Sequence, residues 1–212
     1  MADRRGRRTV AVVIPVAVPV TMALVFGGLR RLASARTAYN IGFAVYWIVW
    51  CLAVPGWLLG PRDAARLLIT GRGLPARYLM LLAMPVAGAA GTQLIPQRRD
   101  VDIPTAAAMA STAIVNAVGE ELLWRAVFLR EFDSRPRLAM AWSLFGFSLW
   151  HVAPQLVLPS PLGRGRFVAG SAVVGLASSL AAWKAGGLRQ VVVAHAITDA
   201  CGVRAARFRL GR

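Results

Sequence analysis

Residues 10–29 read VAVVIPVAVPVTMALVFGGL and contain no charged side chain. A helix of about 20 residues rises roughly 30 Å, which is the thickness of the hydrocarbon core of a bilayer. Arg4, Arg5, Arg7 and Arg8 precede this run. A signal peptide also has a basic start, but its apolar core is shorter and ends at a small-residue cleavage site. We therefore predict a membrane helix that the mature protein retains.

Six further apolar runs follow, and short loops rich in arginine separate them. These runs are 39–59, 78–95, 105–129, 138–158, 167–185 and 188–203. None of them shows the alternation of polar and apolar residues that is typical of a barrel strand. We predict an all-α fold, a multipass transmembrane helical bundle of about seven spans within a range of roughly six to eight. Residues 1–212 are expected to form a single integral membrane domain.

The composition excludes several other classes of protein. Of the 212 residues, 57% are hydrophobic and 16% are charged, whereas a soluble domain has about 25% charged residues. A disordered chain is poor in apolar residues, and this one is rich in them. The formal net charge is +16, but the arginines flank apolar runs and no nucleic-acid-binding module is recognisable. We expect membrane lipid and no nucleic acid as partner, in a bacterial plasma membrane.

The distribution of arginine predicts which side of the membrane each end occupies. The amino-terminal arginines place the start of the chain on the cytoplasmic side. Seven spans would place the carboxyl-terminal tail outside, although its arginines, by the same rule, favour the inside. These arginines are Arg204, Arg207, Arg209 and Arg212. We infer that one apolar run is not a full span, and 188–203 and 10–29 are the two candidates.

Ionisable side chains are rare in the predicted spans. Six of the nine carboxylates lie in loops or in the amino-terminal tail, whereas the others and both histidines lie in apolar runs. These residues are Glu120, Glu121, His151, His195 and Asp199. An acidic residue at the centre of a membrane helix costs about 2.5–3.5 kcal/mol on insertion scales. One shared polar site inside the bundle is the best explanation for keeping them.

Helical spacing indicates how these residues are arranged. Glu121 and Arg125 are four residues apart with the acid first, which is the favourable order for an ion pair within a helix. Glu120 lies about 100° around the helix from Glu121, so the two carboxylates face different neighbours. His195 and Asp199 also share one helical face. Asp199 could orient the imidazole, or the two residues could hold a water or an ion together.

Three stretches of this sequence resemble the motifs of one membrane-protein family. GEELLWR at 119–125 resembles an EExxxR motif, FSLWH at 147–151 an FxxxH motif, and HAITD at 195–199 an HxxxN or HxxxD motif. These motifs, in this order, are similar to those of the CAAX-protease and bacteriocin-processing family of intramembrane endopeptidases, also called CPBP or Abi. The resemblance covers a catalytic core at 104–203, and the first hundred residues carry no signature.

The resemblance implies a role for each motif residue in the hydrolysis of a peptide or protein substrate. Glu120 would be the general base that activates a water molecule, and Glu121 with Arg125 would support it. His151 would help to hold the water or a metal ion. His195 and Asp199 would hold the opposite side and stabilise the tetrahedral oxyanion. Peptide hydrolysis needs both an activated water and a stabilised oxyanion, so the chemistry is consistent with this set of residues.

The last motif position also predicts a metal. Many members of the family have asparagine there, which can donate a hydrogen bond to an oxyanion. Asp199 cannot donate unless it is protonated, and this difference favours metal ligation. Glu120, His151, His195 and Asp199 would then form a mixed nitrogen and oxygen ligand set. The predicted cofactor is Zn²⁺ or another divalent metal.

Two other functions fit parts of this pattern. A non-catalytic membrane protein of the bacteriocin-immunity or Abi type would keep the fold without the reaction, although the intact Glu120, His151 and His195 argue against it. A proton-coupled transporter would use the carboxylates and histidines as a relay. The small size of the chain and the lack of inverted-repeat symmetry argue against a transporter.

Overall fold

The computed structural model describes residues 4–208, and within this range the chain forms helices and turns without a β-strand. The helices are α1 (Arg4–Leu32), α2 (Ala35–Val45), α3 (Val54–Leu59), α4 (Pro61–Ile69), α5 (Ala76–Ala89), α6 (Ile95–Gln97), α7 (Ile103–Glu121), α8 (Val127–Glu131), α9 (Pro136–Trp150), α10 (Arg164–Ala185) and α11 (Arg189–Gly202). Each of the seven apolar runs contains helix, which confirms the predicted all-α bundle. Arg209 and Arg212 of the tail lie outside the described residues.

Four helical stretches in the described range are long and apolar enough to cross a membrane. They are Arg5–Leu32, Ala35–Leu59, Ala76–Asp100 and Arg164–Ala185. The other three apolar runs, 105–129, 138–158 and 188–203, were also predicted to be spans but are not among these four stretches. With 15 and 14 residues, α9 and α11 rise only about 22 and 21 Å, less than the hydrocarbon thickness. Of the two runs suspected of not being full spans, the one that contains α11 is therefore the short one.

The fifth apolar run becomes a shorter helix than its length of apolar sequence suggests. The run 138–158 was expected to be one span, but α9 ends at Trp150 and a 3₁₀ turn follows at Pro154–Leu156. A proline lacks the N–H that would bond to the carbonyl four residues earlier, and its ring clashes with that carbonyl. Pro154 therefore ends the helix at Trp150, and His151 occupies the capping position instead of lying inside a span.

Three π-helical segments interrupt the described helices; one of them, Ala90–Leu94, joins α5 to α6, and the other two carry or precede residues of the buried core. Tyr46–Ala53 joins α2 to α3, and Leu122–Ala126 joins α7 to α8. Such segments often occur at functional sites, because the wider turn redirects the side chains that follow it. The segment after α2 begins at Tyr46, and the segment after α7 begins directly after Glu121. The sequence pattern did not predict any of them.

The helices that carry the three motifs pack around one core. α7 packs against α11, and α9 lies between α1 and α10. The core is rich in aromatic rings, and its largest fully buried side chains are Trp124, Trp150, Tyr46, Phe26 and Phe147. Large apolar side chains also remain exposed on the outer faces, such as Leu24 at 71% and Met80 at 63%. An apolar exterior of this kind is expected where helices face lipid.

A glycine allows α7 to approach the first π-helical segment closely. A Cβ atom at Gly119 would lie 2.7 Å from the Cβ atom of Cys51, which is fully buried. Real Cβ atoms do not approach each other so closely, so a larger residue at position 119 would push the two segments apart. The close approach brings the neighbouring Glu120 to the segment that begins at Tyr46.

The close approach at Gly119 predicts an effect on stability. We expect Gly119→Ala to lower the free energy of unfolding by about 1–3 kcal/mol, because inserted methyl groups in a packed core force its neighbours apart. Gly88→Ala in α5 is the matched control, since a Cβ atom there meets nothing within 4 Å. Thermal unfolding of both variants in detergent measures the difference. Equal stability of the two variants would contradict the close approach.

Candidate active site

A cluster of ionisable side chains lies inside the apolar bundle where α7 packs against α11. Glu120, Glu121, Arg125 and His195 are each at most 3% exposed. Removing ions from water costs several kcal/mol for each ion unless partners and hydrogen bonds compensate. The contacts among these four residues therefore determine whether the cluster is stable.

Glu121 connects two of the helices through a single oxygen atom. Its Oε1 atom lies 2.7 Å from Nδ1 of His195 and 3.4 Å from Nη1 of Arg125. The ion pair predicted from the four-residue spacing is therefore formed. Arg125 also donates a hydrogen bond of 3.2 Å to the carbonyl oxygen of Gly175, and its guanidinium carbon lies 4.2 Å from the centre of the Phe147 ring. The ring face attracts the cation and adds to its stabilisation.

Glu120 has a different environment from its neighbour in sequence. Its Oε1 atom accepts two hydrogen bonds, from the Tyr46 hydroxyl at 3.0 Å and from Nε1 of Trp150 at 2.8 Å. The Tyr46 hydroxyl in turn accepts a hydrogen bond of 2.9 Å from Nε1 of Trp124. The second oxygen, Oε2, is buried and has no hydrogen-bond partner within the described residues. One oxygen of Glu120 is therefore held, and the other is free.

The second oxygen of Glu120 faces an imidazole nitrogen of His195. Nε2 of His195 lies 3.5 Å from Oε2 of Glu120 and 3.6 Å from Oδ1 of Asp199. Both distances exceed the usual N–H···O separation of about 2.9–3.0 Å. The three atoms therefore face one another at ion-pair distance without a short hydrogen bond.

Asp199 is held by a hydrogen-bonded pair on its other side. Its Oδ2 atom accepts a 2.8 Å hydrogen bond from Asn116, whose own side-chain oxygen accepts a 2.9 Å hydrogen bond from Nε1 of Trp47. The sequence left open whether Asp199 orients His195 or holds a water or an ion with it. Glu121 makes the short contact with the imidazole, so Glu121 is the acid placed to orient it, and a water or ion shared by His195 and Asp199 stays a prediction. The side chain of Asp199 is 25% exposed, more than the other acids of the cluster.

His151 lies beside this cluster. Its Nδ1 atom is 2.6 Å from the carbonyl oxygen of Phe147, and its ring centre lies 4.6 Å from that of Phe147 and 5.8 Å from that of Phe167. No hydrogen bond or ion pair between residues 4 and 208 connects His151 to Glu120. With Nδ1 donating to the carbonyl, only Nε2 can contact a ligand. That His151 and Glu120 hold one water together stays a prediction.

The predicted metal ligands are not arranged as a ready binding site. Within the described part of the chain, no group of three or more histidine, cysteine, aspartate or glutamate side chains is positioned to hold a metal ion. The Nδ1 atoms of both histidines are engaged, by Phe147 and by Glu121. Such contacts of Nδ1 are also usual for histidines that bind a metal through Nε2, and the metal stays a prediction from the sequence.

Several side chains of the site were not predicted from the sequence. Tyr46, Trp47, Asn116 and Trp150 all contact its carboxylates or their immediate partners. Asn116 had a usable signal, because it is a polar residue in an apolar helix and lies one turn before Glu120 on the same face. Tyr46 and Trp47 come from a part of the chain without motifs, 74 and 69 positions away from the residues they contact.

Residues 102–201 match a family model described as type II CAAX prenyl endopeptidase Rce1-like. The matched stretch differs by two residues at each end from the predicted core at 104–203, and it contains all three motifs. No curated protein and no solved structure matches the chain. Over residues 102–201, the chain is therefore similar to the type II CAAX prenyl endopeptidases of this model, which confirms the resemblance carried by the three motifs.

Proposed function

We propose that this protein is an intramembrane endopeptidase in which Glu120 activates the water that attacks the peptide bond. The family match over residues 102–201 supports an endopeptidase that acts on a peptide substrate in a membrane. The observation that carries the mechanism is the free Oε2 atom of Glu120, a buried carboxylate oxygen 3.5 Å from Nε2 of His195. A general base needs an unoccupied acceptor within reach of the water whose proton it takes.

The proposed reaction moves one proton from water to the departing amine. Water bound between Glu120 and His195 transfers a proton to Oε2 of Glu120 while its oxygen adds to the carbonyl carbon of the substrate. The C–N bond then breaks as Glu120 gives this proton to the amine nitrogen. The carboxylate returns to its starting state, and the products are a new carboxyl terminus and a new amino terminus.

His195 is the proposed stabiliser of the tetrahedral oxyanion. Its Nδ1 atom is engaged by Glu121, which directs Nε2 towards Glu120 and Asp199. In the imidazolium form, Nε2–H donates a hydrogen bond to the oxyanion, and the two neighbouring carboxylates offset the charge of the ring. A donor that is already held in position stabilises a developing negative charge without having to reorganise first.

We propose that the substrate enters beside Asp199. This residue is the most exposed acid of the cluster, whereas the rings of Tyr46, Trp124 and Trp150, which are hydrogen-bonded to Glu120 or to one another, are fully buried. A peptide entering there would place its scissile carbonyl near Nε2 of His195. The family description points to a prenylated peptide with a CAAX ending as the first substrate to test.

Glu120→Gln tests the assignment of the base. We expect kcat to fall by about 10²–10⁴-fold, the usual contribution of a general base, because the amide cannot accept the proton. The variant should remain folded, since the amide oxygen still accepts the hydrogen bonds from Tyr46 and Trp150. Cleavage of a prenylated CAAX peptide in proteoliposomes, followed by mass spectrometry, measures the rate. Wild-type turnover by the variant would show that another residue is the base.

Glu121→Gln should act mainly on stability. We expect the free energy of unfolding to fall by about 3–5 kcal/mol, because Arg125 is left as a buried charge without its partner. Adding Arg125→Met should restore part of the lost stability, since the uncompensated charge is then gone. Thermal unfolding of the single and double variants in detergent checks both expectations. A double variant less stable than Glu121→Gln would contradict this account of the pair.

The proposed mechanism predicts how removal of metal ions affects peptidase activity. Protein stripped with a chelator should keep its peptidase activity, because the steps above involve only Glu120, His195 and their partners. The metal content of the stripped protein is measured alongside its turnover. The opposite result is lost activity that a stoichiometric divalent ion restores in the wild type and fails to restore in Asp199→Ala. That result would replace this mechanism with metal ligation by the set predicted from the sequence.

A further inference from the structure

We infer that Tyr46 and Trp150 are positioning residues that fix Glu120 in the orientation that its role as base requires. The inference rests on the proposed function and adds two residues to it that no motif specifies. Tyr46 lies outside residues 102–201, the stretch that matches the family. Trp150 occupies one of the unspecified positions of the FxxxH motif.

The two donors occupy the same oxygen of Glu120. A carboxylate oxygen has two lone pairs, and the Oε1 atom accepts from Tyr46 at 3.0 Å and from Trp150 at 2.8 Å. Rotation about the last side-chain bond of a glutamate is otherwise broad, so a free carboxylate would exchange its two oxygens readily. Engaging Oε1 therefore determines which oxygen faces His195. Oε2, the proposed base, is thereby held facing His195.

The two donors also support each other. Nε1 of Trp124 donates to the Tyr46 hydroxyl at 2.9 Å, so the hydroxyl proton is directed towards Glu120. The ring of Tyr46 stacks on that of Trp150, with centroids 3.7 Å apart and an interplanar angle of 15°. Tyr46, Trp124 and Trp150 are each at most 1% exposed. Side chains from three separate helical segments thus form one packed, hydrogen-bonded group next to Glu120.

A purely structural role for these donors makes different predictions from a positioning role. Any buried carboxylate needs hydrogen-bond donors, so Tyr46 and Trp150 could serve only to satisfy it. Loss of a structural donor would reduce the amount of folded protein and leave the turnover of each folded molecule unchanged. Loss of a positioning donor lowers kcat in protein that is fully folded and leaves KM unchanged.

The test compares Tyr46→Phe and Trp150→Phe with a matched control. A hydrogen bond to a charged group contributes about 1.5–3 kcal/mol, which corresponds to a fall in kcat of roughly 10- to 150-fold if it is needed in the transition state. Tyr39→Phe is the control, because Tyr39 of α2 lies seven residues before Tyr46 in the chain and its hydroxyl accepts a hydrogen bond from Arg207 instead. We expect unchanged kcat in Tyr39→Phe. Wild-type kcat in Tyr46→Phe would overturn the inference.

Infrared spectroscopy provides a readout that does not depend on activity. The difference between wild type and Glu120→Gln identifies the carboxyl band of Glu120. The frequency of this band should shift in Tyr46→Phe and in Trp150→Phe and should be unchanged in Tyr39→Phe. An unmoved band in Tyr46→Phe overturns the inference. If Trp150→Phe does not fold, Tyr46→Phe decides alone, since it removes a single oxygen atom.

The two readouts separate this inference from the function on which it rests. A wild-type protein that cleaves no peptide contradicts the proposed function, and the infrared band still decides whether Tyr46 holds Glu120. A wild type that cleaves peptide, together with a Tyr46→Phe variant that is equally fast, leaves the proposed function standing and rejects the positioning role.

Discussion

One oxygen atom of Glu121 holds the buried site together, and the other contacts of the site depend on it. This atom contacts both His195 of α11 and Arg125 of the π-helical segment after α7, and Arg125 extends the connection to the backbone of α10 at Gly175. Each of these charges would cost several kcal/mol if it were buried alone. The helices must therefore pack in the one register that pairs them, and the apolar surroundings enforce this requirement.

Two consecutive carboxylates have different surroundings because a helix turns by about 100° per residue. Glu121 faces the charged partners and is neutralised by them, so it is suited to structure. Glu120 faces aromatic donors that engage one of its oxygens and leave the other beside His195. Oε2 of each acid is buried without a hydrogen-bond partner among residues 4–208, and that of Glu120 lies 3.5 Å from Nε2 of His195. The proposed mechanism therefore assigns the chemistry to Glu120 and the pairing of buried charges to Glu121.

Local features of the sequence predicted the parts of this arrangement that are set by local physics. Apolar runs long enough for membrane helices became helices, and the four-residue spacing gave the pair of Glu121 and Arg125. Rare ionisable residues in apolar runs identified the cluster of Glu120, Glu121, Arg125 and His195. The motifs also led to the family that residues 102–201 match. Each of these signals lies within a few residues or within one helix.

Features that depend on contacts between distant segments were not predicted. The hydrogen bond from Tyr46 to Glu120 spans 74 positions, and no spacing in the sequence indicates it. The π-helical segments depend on how the surrounding helices pack. Pro154 was a sequence signal for the early end of α9, but the apolar run continues to residue 158 and was predicted as one span. His151 was therefore expected inside a helix, whereas it lies at the helix end.

The most direct test of the central claim is a single turnover in water enriched in ¹⁸O. Protein in nanodiscs is mixed with less than one equivalent of prenylated CAAX peptide, and both product and enzyme are analysed by mass spectrometry. Direct attack by a water activated at Glu120 places one ¹⁸O atom in the new carboxyl group of the product and none in Glu120. Label in Glu120 after one turnover would show that the carboxylate itself attacks the substrate, and absence of cleavage would contradict the proposed activity.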